Sequence, residues 1–404
     1  MKYRSRLKCL CCNKKNLSEI INLGNHSFAD RFIPYKKKNK KDPVYPLIVD
    51  LCRSCHFIQS RTVTDPKKRY IDLDYSYTSA NSNYSRDHWM KFATSLENKT
   101  NLKNKKIIEI GSNDGFLSSI LKLKGANVLG VDASKFMVKI CKQKKINSIQ
   151  TIFSFKQSKK IKKIFGKADI IIANNVFNHS NEPSDFLKGV YNLLKEEGML
   201  IFEQPNFTIG TLSLKFDQIY HEHISYFTAT NIKSILNYNN FKINHLSKND
   251  YHGGSLRTIA IKKNSNLKQF DISKFLHFEK KNNIYRINYY KKMMNKINLK
   301  KEKLLKKLSN LINDGYVISG IGAGAKSNTF LTFYGLDNST IKFLTDSSKY
   351  KQNKFTPLTR IPIKDDKELI KYKKIACIIL SWNISKLIIN KIKKLNKKIK
   401  LMYT

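Results

Sequence analysis

The chain has 404 residues, more than one hydrophobic core usually serves, so two or three domains are expected. Its formal charge of +46 would suit a nucleic-acid partner, but only ten of the 76 basic residues are Arg, and the Lys are spread from end to end. Scattered Lys describes a solvated surface, so no nucleic-acid partner is expected and anionic small molecules remain as partners. No apolar run is long enough to cross a bilayer, the best being Ile375 to Trp382, which reads as one buried strand. Cys9 and Lys14-Lys15 fall where a signal peptide needs its apolar stretch, so a cytoplasmic protein without membrane contact is the expectation.

Four of the seven cysteines form two pairs, Cys9 with Cys12 and Cys52 with Cys55. Each C-x-x-C sets two thiolates on one tight turn, and two such turns complete the tetrahedral site of a structural zinc. A reducing cytosol argues against disulfides. Cys11 is a spare thiol that could replace Cys9 or Cys12, while Cys141 and Cys377 read as small core residues.

Ile107 to Ile110 reads as a strand, Gly111-Ser-Asn-Asp-Gly115 as a glycine turn, and Phe116 to Lys124 as a helix. This is the opening of a Rossmann-like unit, and the next strand, Asn127 to Val131, ends at Asp132, where a carboxylate can accept from two ribose hydroxyls. The turn lacks the G-x-G-x-x-G spacing that seats a pyrophosphate, which argues against a nicotinamide dinucleotide. S-adenosylmethionine has no phosphate and carries a cationic sulfonium and amine, which suit Glu109 and Asp114. A strand over Asp169 to Ala173, a helix over Pro183 to Leu194 and a strand over Met199 to Glu203 continue the alternation of a parallel sheet. Asn174, Asn175 and His179, and the run Glu203 to Asn206, then lie beyond carboxyl ends of strands, where ligands sit.

Tyr220-His-Glu-His-Ile-Ser-Tyr-Phe227 is the densest cluster of proton-transfer groups. Methylation of carbon needs a carbanion equivalent, so a base must remove the proton beside a ketone while another group holds the enolate oxygen. His223 or Tyr220 can be that base. An extended segment would put Tyr220, Glu222 and Ile224 on one side and His221 and His223 on the other. The spacing does not fit a zinc protease, which needs two residues between its histidines.

His252-Gly253-Gly254-Ser-Leu-Arg257 precedes a strand over Thr258 to Ile261 and offers a plausible phosphate contact. Lys268 to Leu311 is charged with helical periodicity and reads as a solvated helix pair connecting domains. A strand over Tyr316 to Gly320 leads into Gly320-Ile-Gly-Ala-Gly-Ala-Lys326-Ser-Asn328, which nearly spells a P-loop. Ala325 stands where that loop needs glycine, so an ATPase is set aside for a second Rossmann-like unit with Asp346 after the strand Ile341 to Thr345.

In order along nearly the whole chain, these segments, together with Tyr75-Ser-Tyr77-Thr-Ser79, resemble the sugar C-methyltransferase family, whose members act on nucleotide-linked keto-deoxysugars. The resemblance implies an α/β architecture with a zinc-binding domain over 1–66, a Rossmann-like methyltransferase domain over 67–265, a helical connector over 266–312 and a C-terminal Rossmann-like domain over 313–404. It implies S-adenosylmethionine at Glu109, Gly111, Asn113, Asp114, Gly115, Asp132 and Asn174, and zinc at Cys9, Cys12, Cys52 and Cys55. His223 and Tyr220 would be candidate bases with Glu222 as neighbour, Asn175 and His179 would face the sugar, and Tyr77 would close the cleft. His252, Gly253, Gly254, Arg257 and Lys326 would hold the rest of the substrate. The family's C-terminal loop commonly carries proline where this chain reads Ala323-Gly-Ala325, and Asp132 stands where many relatives carry Glu. A methyltransferase acting on oxygen or nitrogen of another small molecule is the first alternative and a zinc-knuckle nucleic-acid-binding protein the second, which the few Arg of the knuckle disfavour; the sequence leaves the oligomeric state open.

Overall fold

A computed structural model describes residues 3–71, 78–80 and 82–403, so Tyr77 lies outside the described residues. Two parallel sheets organise the chain. The first has seven strands, in the spatial order Phe241–Asn249, Ser255–Lys262, Leu194–Pro205, Ala168–Ile172, Lys106–Ile110, Asn127–Asp132 and Asn147–Gln150. The five from Lys106 to Pro205 are parallel, and the last two in sequence add antiparallel at one edge. The second has five parallel strands, in the order Ile363–Lys364, Phe343–Thr345, Val317–Ile321, Ile375–Ile379 and Lys400–Tyr403. Numbered within each unit, the parallel strands of both sheets run 3-2-1-4-5, which places a topological switch point beside the first strand of each.

The apolar runs are strands covered on both faces. Ile170, Ile171 and Ile172 are all at most 1% exposed, as continuous rather than alternating apolar patterning requires. The strand ends agree with the sequence reading to within a residue or two, with three exceptions. Leu194–Pro205 is longer, Ser255–Lys262 already includes Arg257, and Ile375–Ile379 stops three residues short of Trp382.

The N-terminal domain is an antiparallel sheet of Leu17–His26, Tyr45–Cys52 and Ile58–Ser60, and it takes its fourth strand, Ser225–Tyr226, from the segment of proton-transfer groups. A second tie joins Ile33–Pro34 to Lys354–Phe355 of the C-terminal domain, beside the Arg360–Asp42 ion pair.

The charged stretch from Lys268 is two helices, Ser273–Lys281 and Ile287–Asn313, and neither is a solvated connector. Tyr290, Met293, Ile297, Leu308 and Leu311 of the long helix share one core with Ile21, Leu47 and Val49 of the N-terminal sheet and Ile318 and Leu344 of the C-terminal sheet. Their helical spacing makes the apolar stripe that packing needs, and the Lys occupy the other face. The shorter helix belongs with the first Rossmann-like unit. Its buried Glu279 accepts from the Ala229 and Thr230 amides at 2.6 and 3.0 Å, closing the N-terminus of helix Ala229–Tyr238.

Gly253 and Gly254 have φ of +86° and +117°, and a Cβ on Gly253 would fall within the indole of Trp382 from the C-terminal domain. Gly253 is therefore packed at a domain contact and Gly254 against Ile209, and their amides are taken by the Asp250 and Tyr251 carbonyls, which leaves neither amide for a phosphate. Gly253→Ala should destabilise the protein by about 2–4 kcal/mol, combining a strained backbone with an overpacked contact, measured as a lowered denaturation midpoint. An unchanged midpoint would mean that Trp382 does not dock here.

Candidate functional site

One cleft of about 1210 Å³ runs between the two glycine turns. That exceeds the usual volume for a single small ligand and leaves room for two. It is lined at one end by Glu109, Gly111, Asn113, Asp132 and Asn174, and at the other by Gly322, Gly324 and Asp346. Asn175, His179, Tyr220, His223, His252 and Lys326 also line it. Eleven of the candidate residues thus share one space.

At the first end, Gly111 has φ of +73°, and a Cβ there would sit 2.9 Å from the Val176 side chain, so only glycine fits the turn. Asp132 accepts from the Asn113 amide at 2.9 Å through one oxygen and from the Ser134 amide at 2.8 Å through the other. Burial raises its pKa against those backbone donors. The carboxyl of Glu109, bonded by the Ser118 hydroxyl, is pushed up to about 8 by burial, with Asp114 adding to the rise. Both side-chain atoms of Asn174 are buried and unpaired, as is Oδ1 of Asn175. Buried polar atoms without partners are costly, and a polar ligand would satisfy them.

The expected extended segment is instead a tight turn, closed by the His223 amide on the Tyr220 carbonyl at 2.9 Å. The turn brings Tyr220 and His223 side by side, ring centroids 3.9 Å apart, in place of the opposite faces that alternation gives. His179 lies 5.2 Å from His223 and stacks on Tyr70. Nδ1 of His223 is 2.8 Å from the Gln218 carbonyl, which only accepts, so the proton sits on Nδ1 and the lone pair on Nε2. Burial pushes the His223 imidazolium down to about 3, with Lys326 adding to the drop, so the ring is neutral at physiological pH. Lys326 itself is pushed down to about 8 by burial, against the pull of Asp217, and donates to the His252 carbonyl at 2.9 Å.

Several candidates lie outside the cleft. Glu222 turns toward the N-terminal domain, where the Ala29 and Asp30 amides donate to it at 3.5 Å; burial and then Asp30 push its carboxyl up to about 7. Asp114 accepts from the Ser79 hydroxyl and the Ala80 amide, so it pins that segment rather than facing a ligand. Gly115 starts helix Phe116–Leu123 in the left-handed region, its missing Cβ 3.0 Å from Cys141 Sγ. Arg257 pairs with the buried Glu203 at 2.8 Å and lies over the Phe92 ring, which corrects its expected place on a phosphate. Glu203 also meets His88 at 2.7 Å, and Asn206 caps helix Phe207–Leu212, so both are used structurally.

Sequence reasoning missed Asp30 and Tyr70, which line the cleft, and Arg69, whose buried guanidinium reaches the carbonyls of His179, His221 and Glu222. It also missed Trp382, whose Nε1 donates to Asp217 at 2.6 Å while its ring lies under Lys215 and Lys326. The available signals were rarity: one of ten Arg and one of two Trp.

The sulfur atoms of Cys9, Cys12, Cys52 and Cys55 all lie within 4.8 Å of one another, with Cys9–Cys55 at 3.5 Å and Cys12–Cys52 at 3.6 Å. A tetrahedral zinc with bonds of about 2.3 Å has sulfur–sulfur edges of about 3.8 Å, so this set fits. Cys11 stays outside it and donates its amide to Cys9 Sγ at 3.3 Å.

Three family models match the chain in succession: a zinc binding domain over residues 9–70, a methyltransferase domain over 83–246 and a C-methyltransferase C-terminal domain over 250–402. The chain is 23% identical over 385 residues to the C-methyltransferase NovU of Streptomyces niveus, covering 95% of this chain and 91% of that protein. It is 27% identical over 146 residues to the ubiquinone biosynthesis O-methyltransferase of Pelagibacter ubique, covering 36% of this chain and 60% of that one. The crystal structure of magnesium protoporphyrin IX methyltransferase from Synechocystis PCC 6803 with bound SAH aligns with a TM-score of 0.36 at 22% identity, over 44% of this chain and 83% of that one. Among the described residues no helix is long and apolar enough to cross a membrane.

A methyltransferase needs a methyl donor, and the cleft lining at the first glycine turn suits S-adenosylmethionine, with the acidic side chains of Glu109 and Asp132 and the unpaired amide atoms of Asn174. Asp132→Ala should weaken S-adenosylmethionine binding by about tenfold or more in calorimetry, the cost of lost charged hydrogen bonds. Equal affinity would exclude Asp132 from the site. Elemental analysis should find about one zinc per chain, and Cys52→Ser should lose both the metal and thermal stability. Full stability without zinc would refute a structural role.

Proposed function

We propose that this S-adenosylmethionine-dependent C-methyltransferase adds its methyl group to a carbon beside the ketone of a nucleotide-linked deoxysugar. The observation that carries the reading is the neutral His223, its Nε2 lone pair fixed by the bond from Nδ1 to Gln218, beside Tyr220 in the cleft that reaches Asp132. Transfer to oxygen or nitrogen has less need of such a base.

His223 Nε2 takes the proton from the carbon beside the ketone, and the carbon–hydrogen electron pair becomes the enolate. The Lys326 ammonium, whose charge already acts on His223, and the amide of Asn175 are the groups suited to the enolate oxygen. His179 and Tyr220 flank the base. S-adenosylmethionine, when bound, supplies an electrophilic methyl at a sulfonium. Tyr220 is the competing base, but burial beside Asp30 and Glu222 raises its pKa well above the phenolic value, so its anion is harder to reach. Glu222 then acts behind the turn as a neighbour. NovU, similar from end to end, is named as a C-methyltransferase, which supports transfer to carbon.

His223→Asn should leave S-adenosylmethionine affinity intact while turnover on a nucleotide keto-sugar falls by roughly a hundredfold to ten-thousandfold. It should also abolish exchange of the sugar's acidic proton with deuterated water, followed without a methyl donor. Normal exchange in His223→Asn with loss in Tyr220→Phe would transfer the role to Tyr220. Wild-type exchange and methylation in both variants would refute the carbon-methylation reading of the turn.

A further inference from the structure

One carboxylate just before the catalytic turn is buried behind the cleft, among cations. Asp217, 3% exposed, belongs to the single helical turn Phe216–Gln218, whose last carbonyl accepts from His223 Nδ1. Its Oδ2 accepts from Nε1 of Trp382, in the C-terminal domain, at 2.6 Å, while Oδ1 is buried without a hydrogen-bond partner. Two ammonium groups meet the same indole: Lys215 Nζ lies 4.8 Å and Lys326 Nζ 4.5 Å from the ring centroid. Lys326 is also bonded to the His252 carbonyl, and the next residue, Gly253, packs on Trp382 with no room for a Cβ. Two domains therefore meet at one indole that carries a carboxylate on its edge and a cleft-lining lysine on its ring.

A buried carboxylate with one oxygen unbonded is costly unless cations balance it. The charges of Lys326 and Lys215 act on Asp217 and pull against the rise that burial causes. The relation is reciprocal. Burial lowers Lys326, Asp217 opposes that fall, and Lys215, with Lys300 of the long helix facing it, adds to the fall. His252 and His223 also face Lys326, but burial keeps both rings neutral where the lysine titrates. Tyr334, whose phenol burial and then Asp217 raise to about 12, stays neutral there too. Lys326 lines the cleft, whereas Asp217 and Trp382 stand behind the lining, so their effect on a substrate passes through Lys326.

We propose that Asp217 and Trp382 are positioning residues for Lys326: the indole fixes the direction of its ammonium, and the carboxylate keeps that group a cation against the opposing charge of Lys215. The C-terminal domain then supplies the ammonium, and the segment leading into the catalytic turn supplies the charge that preserves it. This rests on the enolate role proposed above for Lys326 and deepens it.

Competitive acetylation of the intact protein by acetic anhydride across pH, read by peptide mass, follows the Lys326 proton without turnover. Asp217→Asn keeps an acceptor for Trp382 but removes the charge, and should shift the Lys326 titration down by about one pH unit. Lys215→Met keeps the apolar stem and should shift it up. A lysine that must be a cation supports activity below its pKa and loses it as pH rises through that value. The alkaline limb of kcat/KM on a nucleotide keto-sugar should therefore move down in Asp217→Asn and up in Lys215→Met, opposite displacements that a merely structural loss would not give. Trp382→Phe keeps a ring but loses the Nε1 bond, and should lower kcat by about tenfold with little change in KM. S-adenosylhomocysteine affinity equal to wild type establishes that each variant is folded, and Lys215→Met, at a partly exposed residue, carries the test if Asp217→Asn does not fold. A Lys326 titration that stays put, or moves the same way in both variants, would overturn the inference and leave the enolate role standing. Wild-type kcat in Trp382→Phe would overturn the part given to the indole. Displaced titrations with an unmoved alkaline limb would instead retain the control of Lys326 by Asp217 and refute its role at the enolate.

Discussion

The chemistry hangs from one buried guanidinium. Arg69, 1% exposed, donates to Asn181 Oδ1 at 2.9 Å and reaches the carbonyls of His179, His221 and Glu222 at 3.4 Å. It thus ties the loop after the fourth strand of the first sheet to the turn that carries His223. A buried cation needs compensating charge and acceptors, or it destabilises the protein by several kcal/mol. The carbonyls supply part of this, and the Glu222 carboxyl, on which the Arg69 charge acts, supplies more. Glu222 in turn accepts from the Ala29 and Asp30 amides of the N-terminal domain, so the turn that carries His223 is held across a domain boundary.

The zinc knuckle acquires its purpose from the same geometry. Cys9 and Cys52 are part of the core that includes Phe177, Phe202 and Phe227 of the methyltransferase domain, and the sheet behind them pairs with Ser225–Tyr226. The four thiolates leave no open position for chemistry, yet the metal sets the sheet that fixes the residues just after His223. From the other side, the Asn328 amide of the C-terminal domain donates to the Ala29 carbonyl at 2.6 Å, holding the loop that carries Asp30. All three domains therefore meet around one turn of four residues.

What was legible in the sequence follows from how local each signal is. Strands buried on both faces appear as apolar runs, so Ile107 to Ile110 could be read directly. So could the strand starting at Ile375, though its apolar run continues past the strand end at Ile379, and C-x-x-C spacing announces itself. The conformation at Tyr220 to His223 could not be read, because the turn is imposed by Arg69, about 150 positions away, and by a strand of another domain. Arg257 failed for a related reason. Its charge is claimed by Glu203 on the neighbouring strand, a pairing visible only once Glu203 and Arg257 are known to lie in register. The solvated reading of Ile287 to Asn313 failed because Lys on one face outnumbered the apolar stripe that packs on two sheets. The strand, glycine turn and helix from Ile107 were legible as a unit, but which of the turn's acids face the cleft depended on the segment at Ser79, which occupies Asp114.

A histidine kept neutral by burial poses a difficulty for the proposed proton transfer, and the charges around it answer the difficulty. The desolvation that pushes His223 down to about 3 makes it a reluctant base toward a lone proton. Removing a proton from carbon creates an imidazolium and an enolate together, however, and opposite charges in contact at low dielectric attract strongly enough to offset much of that penalty. Their surroundings are polarised in the same sense. Asp30 and Glu222 lie near Tyr220, where their charges raise the phenol, and would favour a cation on the adjacent imidazole. Lys326 disfavours that cation but favours the enolate, so it assists only if the oxygen lies between it and the ring. Its tether to the His252 carbonyl holds it among the cleft-lining residues, where a ketone oxygen can meet it. The acids on one side and the lysine on the other would thus draw the proton toward His223 and the electron pair toward the enolate oxygen.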